Sequence, residues 1–367
     1  MNTILNFSKP SLLLDKQRVL YNIQKMAEKA RKSGVMFRPH FKTHQSAEIG
    51  EWFKQAGVKA ITVSSVEMAA YFAAAGWQDI TIAVPANVLE AKELDKLAKD
   101  NTIGILVDSL ESVEFFSKKN KNKLNVWIKV DVGYGRAGIP WNQLQHILEL
   151  LTVIQQNRNF SFMGILTHSG HTYQASSTEN IHHIYAETVS RMQAVQNLIL
   201  ENGIKQCKIS IGDTPSCSVE NSFTGVDEIR PGNFVFYDLM MLHLGVCKAE
   251  DIAMGVVCPV IGKYPHRGET VVYGGGVHFS KEFIANQQGD KLFGIGVERA
   301  EKGFLKLRED IRLVSLSQEH GIVRLPDSEL AKIKIGDQLV FFPVHACMTA
   351  NLYDCYNSFD GEKVQRR

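Results

Sequence analysis

One lysine near the start of the chain stands among ring and cationic side chains, in the segment RPHFKTHQ. Lys42 has His40 and His44 two residues away on either side, and Arg38 lies four residues before it. An amine attacks a carbonyl carbon only when it is neutral and held in place, and desolvation or nearby cations favour the neutral form. The segment therefore allows two interpretations, a solvated loop lysine or an amine that bonds covalently to a carbonyl compound.

Glycine-rich turns deliver a second group of polar side chains. The segment KVDVGYGRAGIP presents Arg136, whose planar guanidinium is a fixed fork of donors. In SIGDTPSCS, Asp213 and Thr214 follow a strand-like run, where the start of a helix would offer unpaired N–H groups to an anion. The turn RPGNF comes next. The alternatives are a surface arginine in a glycine-rich turn and an ordinary helix cap.

Histidine marks two further segments. THSGHTY carries His168 and His171, which could ligate a metal, stack on a ring or hydrogen-bond within a site. FFPVHACM carries His345 and Cys347, and we expect an extended segment on which both point to the same side. Imidazole and thiolate together suit zinc. A buried cysteine beside a structural histidine is the alternative.

The elements that must position these residues are helices alternating with apolar runs. Spacing of apolar residues predicts a first helix that Asp15 caps and Gly34 ends, and further helices over 144–155 and 184–201. Eight runs are almost continuously apolar, as in parallel strands buried on both faces: VMFRPHF, KAITVSS, DITIAVP, TIGILVDS, LNVWIKVDVG, FMGILTHSG, CKISIGDTPS and EIRPGNFVFYD. They predict a closed (β/α)8 TIM barrel with polar residues at the carboxyl ends of its strands, where barrel enzymes place their chemistry.

The sequence pattern changes after residue 245. Short β-rich runs punctuated by Gly and Pro replace the helical pattern, which predicts a second, mostly antiparallel β domain. We therefore expect an α/β protein whose barrel spans residues 11–245, with residues 1–10 and 246–367 forming the β domain that carries His345 and Cys347.

Composition limits the partners. The 367 residues include 41 Lys and Arg against 39 Asp and Glu, a formal net charge of +2. No basic run recruits nucleic acid or an anionic membrane, so we expect a small-molecule substrate. Six cysteines without a C-x-x-C spacing argue against a disulfide framework. The N-terminal residues lack a signal-peptide pattern and no apolar run is long enough to span a membrane, which predicts a cytoplasmic protein.

Together these motifs resemble one family, the fold-type III pyridoxal-phosphate (PLP) enzymes. The similarity is to the branch that holds D-threonine aldolase and the eukaryotic-type, metal-dependent D-serine dehydratase. RPHFKTH, VDVGYGRAG, THSGHTY, GDTPS, EIRPGNFVFYD and HACMTANLYD occur in the family's order over almost the whole chain. The resemblance implies an alanine racemase-like barrel, a β-hydroxy D-amino acid as substrate and a homodimer.

The resemblance also implies roles for particular residues. Lys42 would bind PLP covalently and later remove the Cα proton of the substrate. Arg136 would donate to the phenolic oxygen of PLP, His168 would stack on its ring, and Arg230 would face its pyridine nitrogen. The remaining cofactor-binding positions are a tyrosine beside PLP and the cradle of its phosphate: Tyr173, Gly212, Asp213, Thr214, Gly232 and Asn233.

The metal pair distinguishes the members of the branch. The metal-dependent dehydratases resemble His-x-Cys and the aldolases His-x-Asp, whereas alanine racemases have no such pair. His345 and Cys347 thus imply Zn²⁺ or Mn²⁺ and a lyase that converts D-serine to pyruvate and ammonia. The alternative is a D-threonine aldolase, which would release glycine and an aldehyde. Less favoured are an amino-acid racemase and a barrel that binds PLP without catalysis.

Overall fold

The structure is a computed structural model that describes residues 6–285 and 289–367. The chain forms two units, each built from separate segments. We call them the barrel unit, residues 25–42 and 53–232, and the sheet unit, the described residues of 6–24, 43–52 and 233–367. No helix of the described ranges is both long enough and apolar enough to cross a membrane.

The strands, in chain order, are β1 (Ser11–Leu14), β2 (Met36–Phe37), β3 (Ala60–Val63), β4 (Asp79–Pro85), β5 (Thr102–Val107), β6 (Leu124–Asp131), β7 (Ile139–Pro140), β8 (Phe160–Leu166), β9 (Lys208–Ile211), β10 (Glu228–Ile229), β11 (Met254–Tyr264), β12 (Glu269–Tyr273), β13 (Ile284–Ala285), β14 (Lys291–Leu292), β15 (Gly294–Arg299), β16 (Phe304–Leu316), β17 (His320–Arg324), β18 (Gln338–Pro343), β19 (Cys355–Ser358) and β20 (Lys363–Gln365). The α-helices are α1 (Lys16–Lys32), α2 (Ala47–Gln55), α3 (Val66–Ala74), α4 (Ala91–Asp100), α5 (Leu110–Lys119), α6 (Leu144–Gln156), α7 (Thr178–Glu201), α8 (Thr214–Val219), α9 (Leu239–His243), α10 (Gly276–Phe279), α11 (Asp327–Lys332) and α12 (Ala346–Ala350).

Eight parallel strands form the barrel unit, in the order β2-β10-β9-β8-β6-β5-β4-β3. A bridge between His40 and Thr62 joins the two ends of this order and closes the barrel. The predicted (β/α)8 barrel is therefore confirmed, and each predicted apolar run contributes one of these strands. Leu106, Trp127 and Leu166 on β5, β6 and β8 pack as a buried cluster.

Local sequence signals account for the helices. The Asp15 side chain accepts from the N–H of Arg18 at 3.2 Å, and Gly34 ends the first helix with a φ of +69°, as the sequence predicts. Serine caps α3, α5 and α7 in the same way. The predicted helices at 144–155 and 184–201 are confirmed as parts of α6 and α7.

A buried network of ions lies where the first and last strands of the barrel meet. Arg38 Nε donates to Glu228 Oε2 at 2.6 Å, and its two terminal nitrogens donate to the Asp79 carboxylate at 2.6 and 3.1 Å. Glu228 Oε1 also accepts from Ser210 Oγ at 2.7 Å. Burial alone would lower the pKa of Arg38, but the Glu228 and Asp79 carboxylates raise it above its usual value. The arginine is therefore a permanently charged tie between three strands.

The sheet unit is mainly antiparallel. Its nine-stranded sheet has the order β12-β17-β16-β15-β18-β11-β1-β19-β20, and a further pairing of β12 with β11 closes six of these strands into a ring. The predicted antiparallel second domain is confirmed as an architecture. Its limits differ from those we predict, because β1 pairs with β11 and β19 instead of joining the barrel. Residues 43–52 and 233–245 also belong to the sheet unit.

One local expectation is wrong. His345 and Cys347 do not share an extended segment, because β18 ends at Pro343 and Cys347 lies in the first turn of α12. His345 occupies the position just before this helix, with φ −132° and ψ 102°, and its carbonyl accepts from the N–H of Thr349 at 3.0 Å. The backbone turns between the two side chains because the residues that follow His345, up to Ala350, form helix α12.

We predict that Glu228→Ala destabilises the barrel unit by about 3–5 kcal/mol, because it leaves Arg38 buried with part of its charge uncompensated. The measurement is urea unfolding followed by the fluorescence of the buried Trp77 and Trp127. Glu114→Ala is the matched control, since Glu114 pairs with Lys118 on the surface of α5 and its loss should cost at most about 0.5 kcal/mol. Equal midpoints for the two variants would contradict a structural role for the buried pair.

Candidate cofactor and metal sites

Lys42 lies in a turn that follows β2, at the carboxyl end of the first barrel strand. The preceding ring, Phe41, is fully buried and packs against Phe53, Phe72 and Trp77, whereas Lys42 itself is exposed. The backbone N–H of Lys42 donates to His40 Nδ1 at 3.3 Å. A buried aromatic anchor therefore holds the backbone beside a lysine whose side chain is left accessible.

Cationic groups of the barrel unit lie around two half-buried histidines, His40 and His168. Burial is the main cause that lowers the pKa of His40 well below its usual value, and Lys42, Arg230, His168 and Arg136 lower it further. The pKa of His168 is lowered in the same way, by burial first. The two imidazoles are thus neutral at pH 7, and the cationic side chains around them include those of Arg136 and Arg230. Such a region suits an anionic ligand.

Arg38 does not add to this positive region as the sequence suggested it could. Its guanidinium is bound to Glu228 and Asp79, so its charge is compensated within the barrel wall. The cations that act on the surroundings of Lys42 come instead from loops after later strands, at Arg136 and Arg230.

His168 has a defined orientation. Its Nδ1 bonds to the carbonyl oxygen of Gly212, which can only accept, so Nδ1 carries the proton and Nε2 has the lone pair. Its ring centroid lies 5.9 Å from that of Tyr134 and 6.3 Å from that of Tyr173. The residue therefore presents a neutral, fixed ring, which is suited to packing against another planar group.

Arg136 and Tyr134 are placed by the turn after β6. The Asp131 carboxylate accepts from the backbone N–H groups of residues 133, 134 and 135, which fixes this glycine-rich turn. The guanidinium of Arg136 lies 5.2 Å from the centroid of the Tyr134 ring. His171 stacks on the same ring with centroids 6.2 Å apart, which is one of the roles that the sequence left open for it.

The start of α8 carries hydroxyl groups that have no partner in the protein. Thr214 Oγ1 and Ser216 Oγ are both buried, and neither has a hydrogen bond within the described ranges. A Cβ at Gly212 would lie 2.8 Å from Arg230 Cβ, so only glycine permits this close approach. Buried orphan hydroxyls at a helix start fit the oxygens of a phosphate.

Asp213 and Tyr173 support this helix start. The Asp213 carboxylate accepts from Ser216 N at 2.7 Å and from Thr172 Oγ1 at 3.0 Å, and burial raises its pKa to about 6. The Tyr173 hydroxyl accepts from Thr214 N at 3.2 Å. The Asp213 side chain therefore caps the helix. Only the backbone N–H of Asp213 could donate to a ligand.

Arg230 is held on one side only. Its Nε donates to Ser210 Oγ at 2.7 Å and its Nη2 to the Thr167 carbonyl, whereas Nη1 has no hydrogen bond to any residue that the structure describes. Burial lowers the pKa of Arg230 to about 10, which still leaves the guanidinium charged at pH 7. Nη1 is thus a fixed donor that remains available to a ligand.

A second lysine near these cations was not singled out from the sequence. Lys129 on β6 is 6% exposed and donates from Nζ to the Val130 carbonyl at 2.9 Å. Burial, assisted by Arg230 and Arg136, lowers its pKa to about 7. Lys129 is buried and its amine is bound to a carbonyl oxygen, whereas Lys42 is exposed, so accessibility favours Lys42 as the residue that would react with a cofactor.

The sheet unit brings His345 and Cys347 together with three other side chains. Thr43 Oγ1 lies 3.1 Å from Cys347 Sγ, and the thiol also lies 3.5 Å from Asn233 Oδ1. Asp238 Oδ2 lies 3.7 Å from His345 Nδ1, a buried nitrogen with no hydrogen bond among the described residues. Burial acts to lower the pKa of His345, but Cys347, Asp238 and Glu282 outweigh it and raise the pKa to about 9. The surroundings of this imidazole therefore favour a positive charge.

The pair fits a metal as an incomplete ligand set. No group of three or more His, Cys, Asp or Glu side chains arranged for a metal occurs in the ranges 6–285 and 289–367. Two side chains are one fewer than the three that catalytic zinc sites commonly use, so water or substrate oxygens would supply the other positions. An imidazole and a thiol in surroundings that favour positive charge match a borderline-soft divalent cation.

The structure places the sequence-predicted residues in two groups. The barrel unit holds Lys42, Arg136, His168, Tyr173, Gly212, Asp213, Thr214, Arg230 and Gly232, and the sheet unit holds Asn233, His345 and Cys347. The side-chain amide of Asn233 bonds to Asp238 and not to a phosphate cradle, so only its backbone could serve there. The roles of these residues toward a cofactor stay predictions.

Sequence reasoning missed His40, Lys129, Thr43 and Asp238. His40 and Thr43 belong to the motif RPHFKTHQ, and Asp238 ends EIRPGNFVFYD, so the motifs contained them without indicating their contacts. Lys129 sits inside a strand, where a lysine facing inward has no local signature.

Comparison with known proteins gives two domain matches. Residues 14–239 match "Alanine racemase, N-terminal domain", and residues 253–359 match "Putative serine dehydratase domain". The D-threo-3-hydroxyaspartate dehydratase of Delftia sp. (strain HT23) is 30% identical, and the alignment covers 97% of this chain and 95% of that protein. The D-serine dehydratase of Dictyostelium discoideum is also 30% identical, with coverage of 97% and 94%.

A solved structure supports the same placement. A cysteine-to-alanine variant of D-threo-3-hydroxyaspartate dehydratase, described as the metal-free form, is 26% identical to this chain. It superposes with a TM-score of 0.91 over 100% of this chain and 99% of that one. Both domains and nearly the whole length are therefore shared, and the chain belongs to the fold-type III PLP enzymes, in the alanine racemase-like branch that contains the D-serine and D-threo-3-hydroxyaspartate dehydratases.

Proposed function

We propose that this chain is a PLP-dependent and metal-dependent lyase of β-hydroxy D-amino acids, with D-serine as its leading substrate and pyruvate and ammonia as its products. The observation that carries the proposal is the convergence of Lys42, Arg136 and Arg230 around two neutral histidines in the barrel unit. PLP is a planar aldehyde that bears a phosphate and a phenolic oxygen, so an accessible amine with fixed cationic donors suits it.

The barrel residues would hold the cofactor by charge and shape. Lys42 would bind its aldehyde carbon, and the unpartnered hydroxyls of Thr214 and Ser216 would donate to its phosphate. Arg136 supplies a cation for the phenolic oxygen. The free Nη1 of Arg230 is a donor for the pyridine nitrogen, which a permanently charged arginine leaves unprotonated. Tyr173, Gly212, Asp213, Gly232 and the backbone of Asn233 complete the proposed set.

Bound PLP supplies an electron sink for the pair of the Cα–H bond. The protein's own contribution begins with Lys42, whose amine would take the Cα proton once it is displaced from the cofactor. Arg136 and Arg230 would keep the bound cofactor oriented by fixed donors that need no rearrangement. His40 and His168, being neutral, add no positive charge of their own to that region at pH 7.

Loss of the β-hydroxyl needs further help, because hydroxide is a poor leaving group. A divalent cation supplies a Lewis acid for that oxygen. His345 and Cys347 would hold it, and we propose zinc because thiolate and imidazole ligands suit zinc better than manganese. The thiol is what distinguishes this pair from the carboxylate of the aldolase pattern.

Assembly and location complete the proposal. We propose a cytoplasmic homodimer, as the family resemblance implies. Val277, Phe283, Met348 and Leu352 of the sheet unit are each at least 40% exposed, and a partner subunit would cover such apolar side chains.

Substrate tests separate the readings. We expect purified protein to release pyruvate from D-serine, and oxaloacetate from D-threo-3-hydroxyaspartate if a second carboxylate is accepted, with equal amounts of ammonia. Products are measured by coupled reduction of the oxo acid. Glycine and acetaldehyde from D-threonine, without any oxo acid from D-serine, would replace the dehydratase by the aldolase.

Removal of metal tests the second cofactor. We expect dialysis against a chelator to abolish pyruvate release while PLP stays bound, and Zn²⁺ to restore it, because the elimination needs a Lewis acid. Retention of activity after chelation, together with interconversion of D- and L-amino acids, would favour the racemase reading instead.

The absorbance of bound PLP identifies the lysine. We predict that the visible band disappears in Lys42→Ala, because the covalent bond is lost, and persists in Lys59→Ala, the replacement of an exposed lysine at the opposite end of a barrel strand. Lys129→Met is the decisive comparison, because burial lowers the pKa of Lys129 to about 7 and its amine is therefore a second candidate for the covalent bond. Loss of the band in Lys129→Met but not in Lys42→Ala would reassign the covalent site.

A further inference from the structure

Asp238 is a carboxylate with an unusual set of neighbours. It is 0% exposed, and it has no lysine or arginine within ion-pair distance among the described residues. Its Oδ1 accepts from Met241 N at 3.0 Å, which caps α9. Its Oδ2 accepts from Asn233 Nδ2 at 2.7 Å and from Ala346 N at 2.9 Å. The two oxygens therefore have different partners: Oδ1 caps a helix, and Oδ2 contacts the segment that contains His345 and Cys347.

The Oδ2 atom reaches both sides of that segment. Ala346, whose N–H it accepts, is the residue between His345 and Cys347. The same oxygen lies 3.7 Å from His345 Nδ1. Asn233 extends the contact to the thiol, because the bond from its Nδ2 to Asp238 turns its Oδ1 toward Cys347 Sγ, 3.5 Å away. One carboxylate–amide pair thus contacts the imidazole, the thiol and the peptide that joins them.

We propose that Asp238, with Asn233, is the positioning pair of the metal site: it holds His345 with Nδ1 toward the carboxylate, so that Nε2 is the nitrogen that binds metal, and it fixes the Cys347 thiol through Asn233. This inference rests on the proposed function, since it requires a metal at His345 and Cys347. Carboxylates that orient a ligating histidine commonly change metal affinity by about 10–100-fold when they are replaced.

Two variants separate positioning from helix capping. Asparagine and serine are both good caps, so Asp238→Asn and Asp238→Ser keep an acceptor for Met241 N. Neither keeps the Oδ2 acceptor, because the amide nitrogen of asparagine is a donor and serine has one oxygen. A role confined to capping would leave metal binding intact in both.

The remaining alternative is that Asp238 affects the metal pair only through its negative charge. Glu282 provides the control for this alternative. This exposed glutamate carries a negative charge that acts on His345, yet none of the hydrogen bonds of the described residues joins it to His345 or Cys347. Glu282→Gln removes a negative charge that acts on His345 and leaves every contact of the pair in place.

The experiment measures the affinity of the holoenzyme for Zn²⁺ by competition with a chromophoric chelator. It also records the thiolate charge-transfer band of the Co²⁺-substituted protein, which reports the Cys347 ligand independently of activity. We expect Asp238→Asn and Asp238→Ser to weaken Zn²⁺ binding by about 10–100-fold and to shift the band, and Glu282→Gln to change affinity less than about 3-fold.

Other outcomes overturn the inference in distinguishable ways. If folded Asp238→Asn and Asp238→Ser bind Zn²⁺ with wild-type affinity, the role of Asp238 is limited to helix capping. If Glu282→Gln loses as much Zn²⁺ affinity as the Asp238 variants do, Asp238 acts only through its negative charge. If neither Asp238 variant folds, Asn233→Ala serves, and an unchanged cobalt band there would refute the pair. A wild-type protein whose Zn²⁺ binding equals that of His345→Ala and Cys347→Ala would refute the proposed metal site itself.

Discussion

The buried bond between Arg38 and Glu228 is the constraint on which the barrel depends. The first and last strands that it joins pair over two residues each, so backbone hydrogen bonds alone give the closure little support. The guanidinium adds Asp79 on β4 and makes the closure a three-strand tie. Through Ser210 the same Glu228 reaches Arg230, which lies beside the candidate cofactor site. Barrel closure and the orientation of a site cation are therefore one connected network.

This network also explains the electrostatics of the site. The charge of Arg38 is compensated inside the barrel wall, whereas Lys42, Arg136 and Arg230 all lower the pKa values of His40 and His168. Grouping cations in a partly buried region carries an electrostatic cost, which the Glu228 and Asp213 carboxylates near Arg230 offset in part and a bound anion would offset further. Burial of His40 and His168 in the neutral form limits that cost. The same environment lowers the pKa of Lys129, mainly through burial, although this lysine is inaccessible and hydrogen-bonded; a lowered pKa therefore does not by itself identify a reactive amine.

Much of the fold could be predicted because its signals are local. Continuous apolar runs give the eight strands, Asp15 and Gly34 delimit the first helix, and the motifs mark the loops at the strand ends. Contacts between distant segments could not be predicted. The partner of Arg38 lies 190 residues away, and β1 pairs with strands near the other end of the chain. The run FFPV predicts that the segment with His345 and Cys347 is extended, but Ala346–Ala350 form a helix.

The metal pair shows most clearly what a motif leaves out. We propose only two protein ligands, His345 and Cys347, so the proposed site would depend on groups that fix these side chains without binding metal. These groups come from separate parts of the sequence, Thr43 beside the thiol and Asn233 and Asp238 across both ligands. Thr43 directly follows Lys42 in the chain, and Asn233 directly follows Gly232 of the predicted phosphate cradle. The motifs assigned to PLP thus continue, one residue further on, into contacts of the metal pair.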